Sequence, residues 1–334
     1  MIYFSQYHIY YIVYKLIWSK STTYFNFLST WFPIETNITG AEEGAIALGT
    51  GQNMQDDRSF WYLGGHDETL GEVTDTIYFD TSAQIHPSEG QSMTRGRHSH
   101  CALNVKMDFP PFNQSQNQVW IIGGKNALKT VETYCQKQEG VNEEICSHNE
   151  DGLSWSTVSS LHVDRDGHTC AAFYHKNHGL AILVAYGYTE KSEIFLIEEC
   201  SKCIDPGCEF ECSWQEELDG ISLDAHLPKR HDSKMVTLNG VPTVFGGVSF
   251  LSQGDTSSGE ALNQVVAFQD VNTSSNDSNT NSWELLIPTV SYRQRHSVVS
   301  VPLDFICAED VVSTSTERYR SFSNIEEWNI ILWH

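Results

Sequence analysis

The sequence has few basic residues: Lys and Arg number 20 against 43 Asp and Glu, which gives a formal net charge of −23 at neutral pH. A surface with this excess of negative charge repels phosphate backbones and anionic membrane headgroups. Nucleic acid and lipid headgroups are therefore not expected as partners, and a basic or neutral protein or peptide fits better. The same charge also keeps an ordinary globular protein soluble, so by itself it identifies no ligand.

A long uninterrupted apolar run is also missing. The most apolar stretch near the start, residues 9–14, is followed by Lys15 and is too short to span a bilayer. No basic segment precedes it and no clear small-residue cleavage site follows it, so it is a poor secretion signal. We therefore expect no membrane span, and we assign residues 1–30 to an N-terminal extension or a divergent signal segment.

Familiar catalytic motifs are absent: the sequence contains no Gly-x-Ser-x-Gly, no P-loop and no His-Glu-x-x-His. No stretch has the long, capped period of an amphipathic helix. His98 and His100 would lie on one face of a strand, as a pair of metal ligands does, but at this place in the repeat described below histidine is expected for structural reasons. We expect no enzymatic activity, no cofactor and no bound metal.

What the sequence does contain is an internal repeat. Four β-like runs each end in a glycine break, and the breaks recur at intervals of roughly 60 residues. Glycine permits positive φ and close backbone approach, which suits strands that end sharply beside a neighbour. The structural glycines of the breaks are Gly64, Gly65, Gly123, Gly124, Gly187, Gly246 and Gly247. Short runs separated by turn-rich loops predict an all-β protein.

Other features recur in phase with the glycine breaks. A strand of small residues precedes each break, and a fifth copy covers residues 296–301. An apolar or aromatic strand follows each break, and a tryptophan that can pack one unit on the next then opens a fourth strand, as at Trp155, Trp214 and Trp283. Arginines stand at or near the entrance of the small-residue strands: Arg97, Arg165, Arg230 and Arg293.

This ordered set, from the arginine and histidine through the small-residue strand, the Gly-Gly break and the tyrosine strand to the tryptophan, resembles the kelch repeat over residues 31–301. The resemblance implies a β-propeller of four-stranded antiparallel blades. About five units are recognisable, whereas family members close with six or seven blades, so ring closure stays open. We expect the propeller over residues 31–310. Either residues 311–334 supply last-blade strands imperfectly, or the chain is a fragment.

The cysteines fall into two groups. Cys101 and Cys170 occupy the same place in their repeats, and this equivalence predicts small buried core residues without chemistry. The second group lies between a tyrosine strand and a tryptophan strand in two successive units. Its symmetry predicts the loop-closing disulfides Cys135–Cys146, Cys200–Cys212 and Cys203–Cys208. A zinc site that starts from Cys200 and Cys203 is the alternative.

Disulfides predict an oxidising compartment. Glycosylation sequons point the same way, and all of them fall in predicted loops: Asn37, Asn113, Asn272 and Asn276. We therefore expect a disulfide-bonded glycoprotein in the secretory pathway or outside the cell, with the cytoplasm as the alternative.

The kelch resemblance implies a non-catalytic module that binds a protein or peptide through its loops or its central pocket. Arg97, Arg165, Arg230 and Arg293 are the candidate partner-binding residues, because repeat-equivalent positions can converge near the axis. The structural alternative is that they form ion pairs between blades. An intracellular substrate adaptor of a ubiquitin ligase is the second functional hypothesis. The third is a copper-radical oxidase resembling galactose oxidase, whose Cys–Tyr crosslink and paired Tyr and His ligands do not map onto this sequence.

Overall fold

The computed structural model describes residues 2–5, 8–15, 28–34, 44–48, 59–67, 71–80, 86–109, 114–136, 153–202, 212–224, 229–249, 259–269, 282–289, 297–302, 317–320 and 328–333. These ranges consist mainly of β-strands and contain one short helix. In the same ranges, no helix is long and apolar enough to cross a membrane. The predicted all-β class is confirmed.

The strands and the helix, in chain order, are β1 (Ile2–Ser5), β2 (His8–Lys15), β3 (Leu28–Ile34), β4 (Ala45–Leu48), β5 (Ser59–Leu63), β6 (His66–Asp67), β7 (Gly71–Glu72), β8 (Thr76–Asp80), β9 (His86–Glu89), β10 (Cys101–Phe109), β11 (Gln114–Ile122), β12 (Val131–Gln136), β13 (Leu153–Val158), β14 (Thr169–His175), β15 (Gly179–Ala185), β16 (Ser192–Leu196), α1 (Ile197–Lys202), β17 (Glu217–Leu218), β18 (Ile221–Ser222), β19 (Arg230–His231), β20 (Lys234–Leu238), β21 (Val241–Phe245), β22 (Val248–Ser249), β23 (Glu260–Ala261), β24 (Val265–Phe268), β25 (Trp283–Leu285), β26 (Ser297–Pro302), β27 (Glu317–Arg320) and β28 (Trp328–Trp333).

Four sheets share one plan, in which neighbouring strands are antiparallel and follow one another along the chain. We call them sheet I (β4-β5-β8-β9), sheet II (β10-β11-β12-β13), sheet III (β14-β15-β16) and sheet IV (β20-β21-β24-β25). In sheet III a single bridge between Ile194 and Gln215 stands where the others have a fourth strand. Three-stranded antiparallel sheets precede and follow this set along the chain: β1-β2-β3, and β26-β28-β27, in which the C-terminal strands pair with β26.

The core consists of layers between consecutive sheets. On β11, Val119 and Ile121 pack toward sheet I, whereas Trp120 and Ile122 pack toward sheet III. A third layer, which includes Leu183, lies between sheets III and IV. Because a strand covered on both faces needs apolar residues at consecutive positions, these strands read as continuous hydrophobic runs and not as an alternating pattern.

A tryptophan ties each of sheets II, III and IV to the preceding sheet in the same way. The indole N–H of Trp155 donates to the carbonyl of Gln91 at 2.7 Å, just beyond the last strand of sheet I. Trp214 repeats the contact with Ser159 at 3.0 Å, and Trp283 repeats it with Leu223 at 3.1 Å. The prediction that these tryptophans pack one unit on the next is confirmed.

Candidate functional site

Two buried arginines each bind backbone carbonyls and a glutamate of the sheet that they precede. Arg97 forms an ion pair with Glu132 of β12 and donates to the carbonyls of Gly123 and Thr130, both at 3.0 Å. Arg165 pairs with Glu193 of β16, with Nη2 2.9 Å from Oε1. The side chains of both ion pairs have no exposed surface. Burial lowers the pKa of both arginines and the neighbouring carboxylates oppose the shift, so each pair is a charged group that the fold must satisfy internally.

Each carboxylate also holds the loop that leads to its arginine. Glu132 accepts the backbone N–H of Thr94 at 2.8 Å, and Glu193 accepts that of His162 at 2.7 Å. Thr94 and His162 both stand three positions before the arginine. The pair and its loop therefore form one unit, which recurs in sheets II and III.

Arg230 occupies the equivalent place in sheet IV, but among the described residues it has no acidic partner. Glu132 pairs with Ile121, two positions before the glycine break of its sheet, and the residue that pairs at the equivalent place in sheet IV is Val266 of β24. Arg230 instead donates to the side-chain oxygen of Gln264 at 2.7 Å and to the carbonyl of Gly246 at 3.2 Å. Its guanidinium also lies 4.8 Å from the ring centre of Tyr186, within cation–π range.

The same arginines join consecutive sheets through their backbone carbonyls. Gly65 of sheet I donates its N–H to Arg97 at 2.8 Å; Gly124 donates to Arg165 at 2.9 Å, and Gly187 to Arg230 at 3.0 Å. A Cβ on Gly124 would lie 2.8 Å from the carbonyl oxygen of His98, and its φ is +97°. Glycine is therefore required there both by space and by backbone conformation.

A chain of backbone hydrogen bonds runs beside these joints. It uses the residue two positions after each arginine: Ser99, Gly167 and Asp232, whose φ angles are +52°, +58° and +53°. Gly167 donates to Ser99 and Asp232 donates to Gly167, both at 2.8 Å. Three successive strand entrances are thus fixed in one conformation relative to one another.

Polar and aromatic side chains lie around this backbone chain, at what we call the arginine end of the sheets. Tyr188 is 49% exposed and stacks on His231, with ring centres 4.9 Å apart. Asp232 lies 3.0 Å from Nδ1 of His231. Burial raises the pKa of Asp166, against the influence of nearby Lys125. Together with Lys125, these residues form a polar and aromatic surface that is exposed or half-buried.

The predicted role of the arginines is corrected by this geometry. Arg97, Arg165 and Arg230 do come to the same end of their sheets, but each is fully buried and all have internal acceptors, so none is available to an acidic peptide. Arg97 and Arg165 form the ion pairs of the structural alternative. These pairs lie within a sheet, however, and the contacts between sheets come from the backbone carbonyls. Arg293 lies outside the described residues.

The prediction that His98 and His100 lie on one face of a strand is also wrong. Ser99 between them has a positive φ, which breaks the strand alternation. His100 is buried beside the glycine breaks, with ring atom Cε1 3.2 Å from the Cβ position of Gly64, and burial lowers its pKa well below the ordinary value. His98 lies on the other side, against β6 and β7.

One predicted disulfide is confirmed and one interpretation is overturned. Cys200–Cys212 forms, with Cα atoms 5.2 Å apart. Cys101 and Cys170, expected to be unreacted core residues, also form a disulfide, with Cα atoms 6.0 Å apart. Cys101 pairs with Ile122, the last residue before the glycine break of sheet II, and the residue at the equivalent place in sheet III is Thr169. Cys170 is therefore one position further along its strand, and its side chain points to the opposite face. The two sulfurs therefore meet between sheets II and III.

Several predicted residues lie outside what the structure describes. They are Cys146, Cys203, Cys208 and the sequon residues Asn37, Asn113, Asn272 and Asn276. Cys135 is on β12, but its side chain is outside the description as well. The other disulfides and glycosylation therefore stay predictions.

At the opposite end of sheet III, a histidine lies between two carboxylates. His178 follows β14; its Nδ1 contacts Glu199 of α1, and its Nε2 is 3.2 Å from both carboxylate oxygens of Asp219. Burial lowers the pKa of His178, but the hydrogen bonds to both carboxylates outweigh burial and raise it above the ordinary value. His178 therefore links the helix to the β17–β18 hairpin, and the carboxylates favour its protonated form.

No protein-family model matches this sequence, and no curated protein matches it at a significant level.

Proposed function

We propose that the chain is a kelch-type β-propeller that binds a protein or peptide at its arginine end, without catalytic activity. The observation that carries the proposal is the joint between sheets, in which a glycine N–H donates to the carbonyl of the next arginine. The described residues contain this joint three times in the same form. A repeated joint of one geometry turns successive sheets by similar steps, as blades require.

The packing of the first strands supports the same arrangement. β4 lies against β10, β10 against β14, β14 against β20, and β20 against β26. In a propeller the first strand of each blade lines the centre, so these strands follow one another around the axis. Closure of the ring, and the number of blades, belong to the proposal.

The arginine end is the binding face that this geometry favours. Binding residues are commonly exposed loop residues on a rigid base. Here the buried arginines and the backbone chain through Gly167 supply the base, and Tyr188 supplies an exposed aromatic ring of the kind that anchors interfaces. Because the net charge is −23, we expect a basic or neutral partner.

The two disulfides support an oxidising environment for this activity. Both Cys101–Cys170 and Cys200–Cys212 are well placed to form, and such bonds persist in the secretory pathway and outside the cell. We therefore propose an extracellular or secretory location.

The test is selection of ligands from a random peptide library displayed on phage, with the intact chain immobilised. Selected peptides are then titrated against wild type, Tyr188→Ala and Tyr174→Ala. Tyr174 is the matched control because it is a 66% exposed tyrosine near the other end of sheet III. Thermal melting of each variant establishes that it folds.

We expect neutral or basic peptides whose affinity falls about 30-fold in Tyr188→Ala, as at an aromatic hot spot, and stays unchanged in Tyr174→Ala. Equal affinities for all three proteins would move the binding surface away from the arginine end. Failure to enrich any peptide would count against the interaction function itself.

A further inference from the structure

Three metal-binding side chains meet where sheet I joins sheet II. His66 and Glu72 are directly paired residues of the β6–β7 hairpin, so their side chains lie on the same side of it. His98 comes from the loop that leads into sheet II. One ligand atom from each of the three side chains lies within 4.8 Å of the other two. Nε2 of His98 is 3.9 Å from Oε1 of Glu72, and the two imidazole centres are 5.2 Å apart.

We propose that His66, Glu72 and His98 form a binding site for a divalent transition-metal ion, with zinc as the expected occupant. Two imidazoles and one carboxylate are a zinc ligand set of the kind that keeps a fourth position open. Imidazole nitrogen favours zinc over the oxygen-preferring ions calcium and magnesium. Ligand atoms around tetrahedral zinc are about 3.4 Å apart, so the three side chains need to close by roughly 1 Å.

The backbone around the site is already fixed. Val73 donates to the carbonyl of Gly65 at 3.0 Å, which closes the hairpin. On the other side, Lys125 donates to the carbonyl of His98 at 2.9 Å. A Cβ on Gly96 would lie only 2.5 Å from the carbonyl oxygen of Glu72, so the loop before sheet II approaches the hairpin closely. The ligands therefore start from positions that both sheets hold in place.

The side chains carry the right chemistry for coordination. Nδ1 of His98 lies 3.1 Å from the hydroxyl of Ser99, which leaves Nε2 on the side of Glu72; a hydrogen bond of this kind orients a metal-binding imidazole. Nδ1 of His66 is buried and has no hydrogen-bond partner among the described residues. A buried imidazole nitrogen without a partner is costly, and metal binding fixes which nitrogen carries the proton and which donates its lone pair. Glu72 supplies a carboxylate oxygen, and with it the negative charge that a divalent cation favours.

The consequence of binding is a second kind of link between sheets. Two ligands belong to the β6–β7 hairpin, which connects β5 and β8 of sheet I, and the third belongs to the loop that enters sheet II. The ion therefore bridges the two beside the backbone joint between Gly65 and Arg97. Water or a side chain of a partner takes the open coordination position. This inference does not depend on the proposed function.

The experiment is zinc titration of the full chain by calorimetry after treatment with a chelator, on wild type, His66→Ala, Glu72→Gln and the control His162→Ala. His162 is a suitable control because its side chain is 53% exposed and it lies at the same end of the molecule. Cobalt titration followed by visible absorption is the second measurement, because its band intensity reports coordination number and imidazole ligation. Thermal melting in metal-free buffer checks that the variants fold.

We expect one equivalent of zinc to be lost in His66→Ala, and its affinity to fall at least about tenfold in Glu72→Gln; each tenfold corresponds to about 1.4 kcal/mol. His162→Ala should bind as wild type does, and the cobalt spectrum should lose its tetrahedral intensity only in the ligand variants. Zinc binding that is unchanged in His66→Ala, or no binding by wild type at all, would overturn the proposal. If His66→Ala does not fold, Glu72→Gln and the cobalt spectrum decide the question.

Discussion

Replacement of Arg165 by methionine is expected to lower the free energy of unfolding by about 3–5 kcal/mol, the usual effect of removing one member of a buried ion pair. The Glu193 carboxylate has no exposed surface and would keep backbone donors, chiefly the N–H of His162 at 2.7 Å. The carbonyl of Tyr186, which now accepts a guanidinium hydrogen at 2.7 Å, would lose its donor as well. The variant therefore buries a charge whose counter-ion has been removed.

Arg230→Met is the matched comparison, because it removes the same side chain from the same place in the next sheet but leaves no carboxylate behind. Its partners are neutral, namely Gln264 and the carbonyl of Gly246. The expected loss is about 1–3 kcal/mol, the range for unsatisfied neutral hydrogen-bonding groups. The difference of about 2 kcal/mol between the two variants isolates the effect of the orphaned charge.

The assay is urea unfolding followed by tryptophan fluorescence, with the midpoint as the measured quantity. A third protein, Arg165→Met combined with Glu193→Gln, tests the cause directly, since it removes the buried charge and should recover part of the stability lost in Arg165→Met. Equal midpoints for Arg165→Met and Arg230→Met, or a double variant no more stable than Arg165→Met, would refute the reasoning.

Two further perturbations act on other links in the structure. Replacement of both members of the Cys101–Cys170 bridge by alanine should cost about 4 kcal/mol, against about 3 for Cys200–Cys212, because the closed loops differ in length, with sequence separations of 69 and 12. Urea unfolding without reductant measures both losses, and reaction of all four denatured wild-type thiols with maleimide would contradict the bridges. His178→Gln should lose stability mainly at low pH: a raised pKa makes the contribution of His178 fully present below about pH 6.5 and lost as the pH rises through the raised value. Wild type and variant should therefore converge at alkaline pH, and a constant difference between pH 5.5 and 9 would exclude this role.

The sequence was sufficient to predict the parts of the fold in which the same residue type recurs at the same place in each sheet. The tryptophan at the start of a fourth strand and the glycine break predicted strand positions, because each type has few roles at such a place. Trp155 and Trp214 lie against the preceding sheet as expected. Gly124 has the positive φ and the close backbone contact that its position predicted.

The Cys101–Cys170 disulfide was not predicted, because the similarity of the two repeats compares residue types and not positions along the strands. Both cysteines precede alanine, which made them look equivalent, but counted from the arginine Cys101 is at the fourth position and Cys170 at the fifth. A shift of one residue turns a strand side chain to the opposite face. Counting from the arginine would have placed one cysteine on each side of the space between the two sheets.

The candidate site was harder to predict because burial and loop length do not appear in a motif. An arginine that binds a partner and one that completes a turn look alike in sequence, and the acidic residue that distinguishes them stands 35 residues after Arg97 but 28 after Arg165. His66, Glu72 and His98 are likewise brought together by the hairpin and by the joint between sheets, not by a regular spacing.

The position of each arginine carbonyl also determines how the sheets depend on one another. A glycine N–H such as that of Gly124 is satisfied only when the entrance of the following sheet is in place, so each sheet gains stability from its successor, as in a one-dimensional array of coupled units. Sheets II and III are further coupled by an inter-sheet disulfide, whereas sheet IV meets sheet III through an arginine with neutral partners. Local unfolding should therefore begin between sheets III and IV, and backbone amides of sheet IV should exchange hydrogen before those of sheet II.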